Sequence, residues 1–182
     1  MKKNFKFIGN IDVQNIREQV LLISEDIWNH DTSRQEIETK HSSTNFVPIK
    51  WNYESLTTGK EAEVNTEYVE QFNLQNFIEE ITDIIKKSYG NGTVVRMLFT
   101  RMNPNSKILP HKDAGESLIR AHRIHVPIFT NENCLFTVNE ETINMKPGEI
   151  WEIDNSETHS VENNSNNYRI HFIIDYMSKG LL

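Results

Sequence analysis

The chain has a single cysteine, Cys134, in 182 residues, so no internal disulfide can form, and a reducing cytoplasm is the expected location. Long apolar runs are also missing. Nothing approaches the roughly 20 consecutive apolar residues of a membrane-crossing helix, and the mean hydropathy of -0.57 is that of a water-soluble chain. Met1-Lys2-Lys3-Asn4-Phe5-Lys6 opens as a signal peptide would, but no apolar stretch or small-residue cleavage site follows. Basic residues are in deficit: 19 Lys and Arg against 26 Asp and Glu leave a net charge of -7. Polyanions are usually met by basic surfaces, so nucleic acid is not an expected partner. Neither an internal repeat nor a long linker interrupts the sequence. The expectation is one domain over residues 1–182, large enough to bury its own core.

What is present divides near Gly90. Before it, Ile11 to Trp28 and Tyr68 to Tyr89 carry apolar residues at helical spacing, and Gly90-Asn91-Gly92 supplies a stop for the second helix. Asn45 to Tyr53 reads as a strand with Pro48 as a defect. After Gly92 come short runs rich in β-formers, cut by turn residues: Thr93–Met102, Ile119–Phe129, Cys134–Val138, Thr142–Met145, Ile150–Ile153, His159–Glu162 and Tyr168–Tyr176. Many short strands at close intervals indicate an all-β sandwich or barrel. The reading is mainly β, with a helical or mixed flanking region over 1–92 and a β core over 93–177.

His111-Lys112-Asp113 offers an imidazole and a carboxylate to one side of a strand, because residues two apart share a face. One more histidine from a neighbouring strand would complete two nitrogens and one oxygen around a metal, with positions left open, an arrangement suited to non-heme iron(II). Alone, a His-x-Asp is weak evidence, and a strand-end histidine beside a surface aspartate is the plain alternative. The C-terminal pattern adds to it. A hairpin turning near Ser165 would set His159 opposite His171 and Val161 opposite Arg169. His159, Arg169 and His171 would then share one face with Ile173 and Asp175, while Ile170, Phe172 and Ile174 take the other. Ionisable groups amid apolar residues are expensive to bury without a ligand; a wet outer face is the alternative. In Arg120 to Pro127, Arg123 and His125 share a face and His122 lies on the other, a pairing that suits an anionic small molecule or, equally, a solvated surface.

Taken together, these residues resemble the aspartyl/asparaginyl β-hydroxylase family, including its bacterial members that cis-hydroxylate free proline. The resemblance runs from about Thr100 to Asp175, through Met102-Asn103-Pro104, Pro110-His111-Lys112-Asp113, Arg123-Ile124-His125-Val126-Pro127, Pro147-Gly148-Glu149, Asp154-Asn155, His159-Ser160-Val161-Glu162-Asn163 and Arg169-Ile170-His171. It implies a double-stranded β-helix, the jelly-roll barrel of cupin-like proteins. It further implies Fe(II) held by His111, Asp113 and His159, with 2-oxoglutarate and O2 as co-substrates. Arg169 matches the arginine that pairs with the distal carboxylate of 2-oxoglutarate, Thr100 a hydroxyl residue that assists it, and His125 a histidine near the co-substrate. Arg123 matches an arginine that contacts the substrate's acidic group, and His171 falls on the same side.

Some animal members lack the carboxylate ligand; here Asp113 supplies it, as in the bacterial three-ligand branch. The first ninety residues match no family motif. The implied activity is hydroxylation of an amino acid, free or as Asp, Asn or Pro in a peptide. A non-oxidative jelly-roll metalloenzyme such as an isomerase would have no use for Arg169 as a dicarboxylate partner. A non-catalytic binding protein would need neither ligand set. His30, His41, Cys134, Trp28, Trp51 and Trp151 read as surface or packing residues.

Overall fold

The computed structural model describes residues 3–31, 43–51, 63–113 and 115–179. In order these form β1 (Phe5–Asn10), α1 (Gln14–Leu21), α2 (Glu25–Trp28), β2 (Thr44–Trp51), β3 (Glu63–Val64), α3 (Thr66–Gln71), α4 (Gln75–Tyr89), β4 (Gly92–Met102), β5 (Ser106–His111), α5 (Glu116–Arg120), β6 (His122–Phe129), β7 (Cys134–Val138), β8 (Glu141–Ile143), β9 (Glu149–Ile153), β10 (His159–Asn163) and β11 (Arg169–Ser178). His41, Asn52 and Tyr53 lie outside the described residues. Among the described residues, no helix is long and apolar enough to cross a membrane.

The strands make two antiparallel sheets, one of seven strands in the order β1-β9-β6-β11-β4-β2-β3 and one of four in the order β5-β10-β7-β8. Alternation along the central strands explains the layering. Ile170, Phe172 and Ile174 of β11, with Ile124 and Val126 of β6 and Met97 and Phe99 of β4, join Ile16, Val20, Phe77, Ile81 and Ile85 of the helices in one core. The opposite face of the large sheet meets the small sheet through Phe5, Met102, Phe136, Val138, Met145, Ile153 and Val161. The large sheet is thus buried on both faces at its centre, and nine consecutive residues of β11 are buried. This continuous burial puts the polar residues of β11, Arg169, His171 and Asp175, inside the barrel.

Several expectations change in detail. Ile11 to Trp28 is two helices, because Ser24 accepts the Ile27 N–H at 3.3 Å and caps a second start. Tyr68 to Tyr89 is also two, broken where Asn73 takes φ +48°, a left-handed conformation that asparagine tolerates. The longer helix ends where expected, with Gly90 at φ +75°. Ile119 begins inside α5, so that strand starts at His122. Strand β1 was not expected, and with β2 and β3 it builds the N-terminal half of the chain into the large sheet.

The hairpin register is a correction. β10 pairs with β5 and β7, and β11 with β4 and β6, so His159 does not oppose His171 in a ladder. The chain crosses from one sheet to the other at the turn after Asn163. His159, from the small sheet, and Arg169, from the large one, line the same pocket.

Candidate metal centre and its pocket

His159 on β10 is the direct cross-strand partner of His111 on β5, and their ring centroids are 4.3 Å apart. Asp113 lies just past the end of β5, where its backbone N–H donates to Asn155 O at 3.1 Å. The carboxylate is therefore brought in by a loop rather than by strand alternation. The donor atoms of His111, Asp113 and His159 all lie within 4.8 Å of one another. The Nε2 atoms of His111 and His159 sit 4.0 and 3.9 Å from Asp113 Oδ1.

The outer contacts decide which atoms point inward. His111 Nδ1 lies 2.7 Å from Leu109 O, and His159 Nδ1 lies 3.0 Å from Glu157 O. A carbonyl only accepts, so both Nδ1 atoms carry the proton and both Nε2 lone pairs face the centre. Asp113 Oδ2 accepts from Arg123 NH1 at 2.5 Å and from Asn155 Nδ2 at 3.1 Å, which leaves Oδ1 toward the histidines. Burial raises the carboxyl's pKa, but the charge of Arg123, helped by the Asn155 hydrogen bond, more than offsets this, so it lies below the ordinary carboxylate value. Burial also lowers the His159 imidazole. Two imidazole nitrogens and one carboxylate oxygen are a fitting donor set for a divalent first-row metal.

Thr100, Arg123, His125 and Arg169 line the same pocket as the triad, between apolar walls that include Met102, Phe136 and Val161. Arg169 is 4% exposed. Its NH2 donates to His171 Nδ1 at 3.0 Å, and its guanidinium lies 5.8 Å from the Phe136 ring centroid. Among the described residues no carboxylate pairs with it, and burial pushes its pKa down to about 10. Because Arg169 can only donate, His171 carries its proton on Nε2, a buried nitrogen without a hydrogen-bond partner. His171 is placed behind Arg169 and is not part of the pocket wall.

His125 is fully enclosed, and neither ring nitrogen has a hydrogen-bond partner. Burial, reinforced by Arg169, holds its pKa far below the ordinary imidazole value, so the ring is neutral. The Thr100 hydroxyl is 3.5 Å from His171 O. His122, on the other face of β6, bonds Glu152 at 2.7 Å beside Tyr89 on α4 and has no access to the pocket.

Arg123 is more heavily engaged than its spacing implied. Nε and NH2 donate to the two oxygens of Asp175 at 2.8 and 2.9 Å, and NH1 donates to Asp113. Three groups received no role from the sequence: Asp175, Arg96 and Asn155. For Asp175 and Arg96 the signal was alternation, which puts them on the inner faces of β11 and β4. For Asn155 it was only a place in a motif.

The aspartyl/asparaginyl β-hydroxylase family model matches residues 11–179. An L-proline cis-4-hydroxylase of Rhizobium meliloti (strain 1021) is 27% identical over 103 residues, 57% of this chain and 37% of that protein. The chain therefore spans little more than a third of that curated relative. The crystal structure of an oxidoreductase of the 2OG-Fe(II) oxygenase family from Burkholderia pseudomallei superposes with a TM-score of 0.59 at 14% identity, covering 92% of this chain and 90% of that one. The viral collagen prolyl hydroxylase vCPH of Paramecium Bursaria Chlorella virus-1, in its 2OG complex, superposes with a TM-score of 0.53 at 12% identity, covering 97% and 96%. At such identities the two structures establish the fold, a mainly β double-stranded β-helix with flanking helices. With that fold and a family match running almost end to end, the chain belongs to the aspartyl/asparaginyl β-hydroxylase family.

Proposed function

We propose that this chain is an iron(II)- and 2-oxoglutarate-dependent dioxygenase that hydroxylates an amino acid, free or as an Asp, Asn or Pro residue of a peptide, with residues 1–182 acting as one oxygenase domain. The observation that carries this reading is the pairing, in one pocket, of the His111–Asp113–His159 donor set with the unneutralised buried cation Arg169. A non-oxidative metalloenzyme would need the first and not the second. The proline hydroxylase relative makes free L-proline the first substrate to test.

His111 and His159 would hold the metal through Nε2 and Asp113 through Oδ1, the atoms left inward by their outer hydrogen bonds. Iron(II) with 2-oxoglutarate and dioxygen supplies, when bound, the oxidising power to insert oxygen into a C–H bond as the 2-oxo acid is decarboxylated to succinate. Arg169 would take the distal carboxylate, since a guanidinium binds a carboxylate through two parallel hydrogen bonds. His125, with two unpartnered ring nitrogens, and the Thr100 hydroxyl are positioned to complete the co-substrate's contacts. Phe136, Met102 and Val161 exclude water from the space between. Arg123 is assigned to the substrate side, where an acidic substrate group meets a guanidinium already shared by two carboxylates; His171, expected there too, instead backs Arg169 from outside the pocket wall.

The test is a panel of free amino acids, L-proline first, and Asp-, Asn- and Pro-containing peptides, incubated with Fe(II), 2-oxoglutarate and oxygen. Succinate release that depends on one panel member, with a product heavier by one oxygen atom, is the expected result. Purified protein that binds no metal and releases no succinate with any member would overturn the assignment.

A further inference from the structure

The inner face of the large sheet carries a row of three charged residues at the metal end of the barrel. Asp175 on β11 is the cross-strand partner of Arg96 on β4 and of Arg123 on β6. Asp175 is 0% exposed and Arg96 2%. Both oxygens of Asp175 are used by Arg123, and Arg96 Nε lies 2.9 Å from Oδ2, off the N–H axis, so that contact is coulombic rather than a well-directed hydrogen bond. Arg123 then passes NH1 to Asp113, completing an alternation of Arg96, Asp175, Arg123 and Asp113 that runs from the buried sheet centre to the pocket. From the other side Asn155 grips the same Asp113 oxygen and is itself tied to Leu118 O at 2.9 Å.

We propose that Asp175 and Arg123 are positioning residues for the metal: Asp175 fixes the Arg123 fork, and Arg123 holds Asp113 Oδ2 so that the carboxylate meets the ion through Oδ1 alone. This inference rests on the metal-site reading above. Its physical basis is denticity. A carboxylate free on both oxygens can rotate or chelate through both; one whose outer oxygen is held by two donors offers a single lone-pair site. The ion's remaining positions are then kept for ligands other than protein. A purely structural ion-pair row would stabilise the barrel without influencing the ligand.

Cobalt(II) binding to metal-stripped protein separates the two roles, read by calorimetry and by the visible spectrum of the bound ion, with thermal melting as the stability control. Arg123→Lys keeps the net charge but replaces the fork by a point charge, which cannot hold two carboxylates in fixed geometry. Asp175→Asn keeps the shape and removes the anion. Both variants should bind cobalt(II) about 10- to 100-fold more weakly, as expected for outer partners of metal ligands, with an altered spectrum. Folded variants with the wild-type dissociation constant and spectrum, whatever their melting temperature, would overturn the proposal. If Asp175→Asn does not fold, Arg123→Lys alone decides it. His111→Ala is the reference: if it too binds cobalt(II) as the wild type does, the metal-site reading fails, and the positioning role falls with it.

Discussion

Replacing Arg169 by methionine removes a buried cation that no carboxylate of the described chain neutralises, and fills the space with an unbranched apolar side chain. Two consequences of opposite sign follow. In ligand-free protein, exchanging a buried ionic group for an apolar one of similar volume is often neutral or stabilising by about 1–4 kcal/mol. The donor lost to His171 Nδ1 offsets about 1 kcal/mol of that gain. The variant should therefore melt no more than about 2–4 °C below the wild type, or above it. Co-substrate binding changes the other way. Truncating one partner of a buried, hydrogen-bonded charge pair costs about 2–5 kcal/mol, or about 30-fold to several-thousand-fold in the 2-oxoglutarate dissociation constant. The assay is a thermal melt of cobalt(II)-loaded protein with and without 2-oxoglutarate. At a hundred times its dissociation constant, a ligand adds about 2.7 kcal/mol, which for a domain of this size is about 5–11 °C. Wild-type protein should show that shift and the variant, at the same concentration, at most about a third of it. A variant that keeps the full shift would show that Arg169 does not hold the co-substrate, and one that melts far lower without ligand would show that the guanidinium is a structural group.

Acid should destabilise the metal-free protein before any carboxylate titrates. Burial holds His125 and His171 far below the ordinary imidazole pKa, so the unfolded chain binds more protons below about pH 6.5. Stability present above that pH is then lost as pH falls, by about 1.4 kcal/mol per pH unit for each histidine until its folded pKa is reached; a flat urea-unfolding free energy between about pH 6.5 and 5.5 would refute this. Gly148→Ala should cost about 1–3 kcal/mol, because Gly148 has φ +79° and an added Cβ would sit 2.5 Å from Ile11 O. Equilibrium unfolding within about 0.5 kcal/mol of the wild type would show that the Pro147-Gly148 turn relaxes freely.

The parts of the fold that could be read in advance are those where local pattern and burial agree. Thr93–Met102 and Tyr168–Tyr176 are rich in β-formers and bounded by turn residues, and both form long central strands. The helix breaks that periodicity overlooks carry local signals of their own: Ser24 is a capping residue, and Asn73 is among the few residue types that accept a left-handed backbone. Strand β1 is hidden because its Lys6, Gly9 and Asn10 dilute the alternation, and pairing with β9 is what makes it a strand. The β10–β11 error is of another kind. Two strands joined by a short polar turn ordinarily pair, but in a jelly roll successive strands change sheets. The face assignment survives for His159 and Arg169, which line one pocket from opposite sheets.

That distinction also explains why the pocket's charges are only half legible. Alternation tells which side of a strand a residue faces and nothing about its cross-strand partner, so Arg123 and Arg169 look equivalent: two inward arginines beside a metal motif. The register separates them. Arg123 lies in the row of Arg96 and Asp175 and is shared by two anions. Arg169 lies opposite Met102, with Phe136 nearby, and lacks a counter-ion among the described residues. One arginine has its charge satisfied inside the protein and stiffens what it touches; the other retains a demand that an incoming carboxylate can meet. In a low-dielectric interior that difference is worth more than any difference in exposure. It is set by which strand lies beside which, information carried by the whole topology rather than by the residues around either arginine.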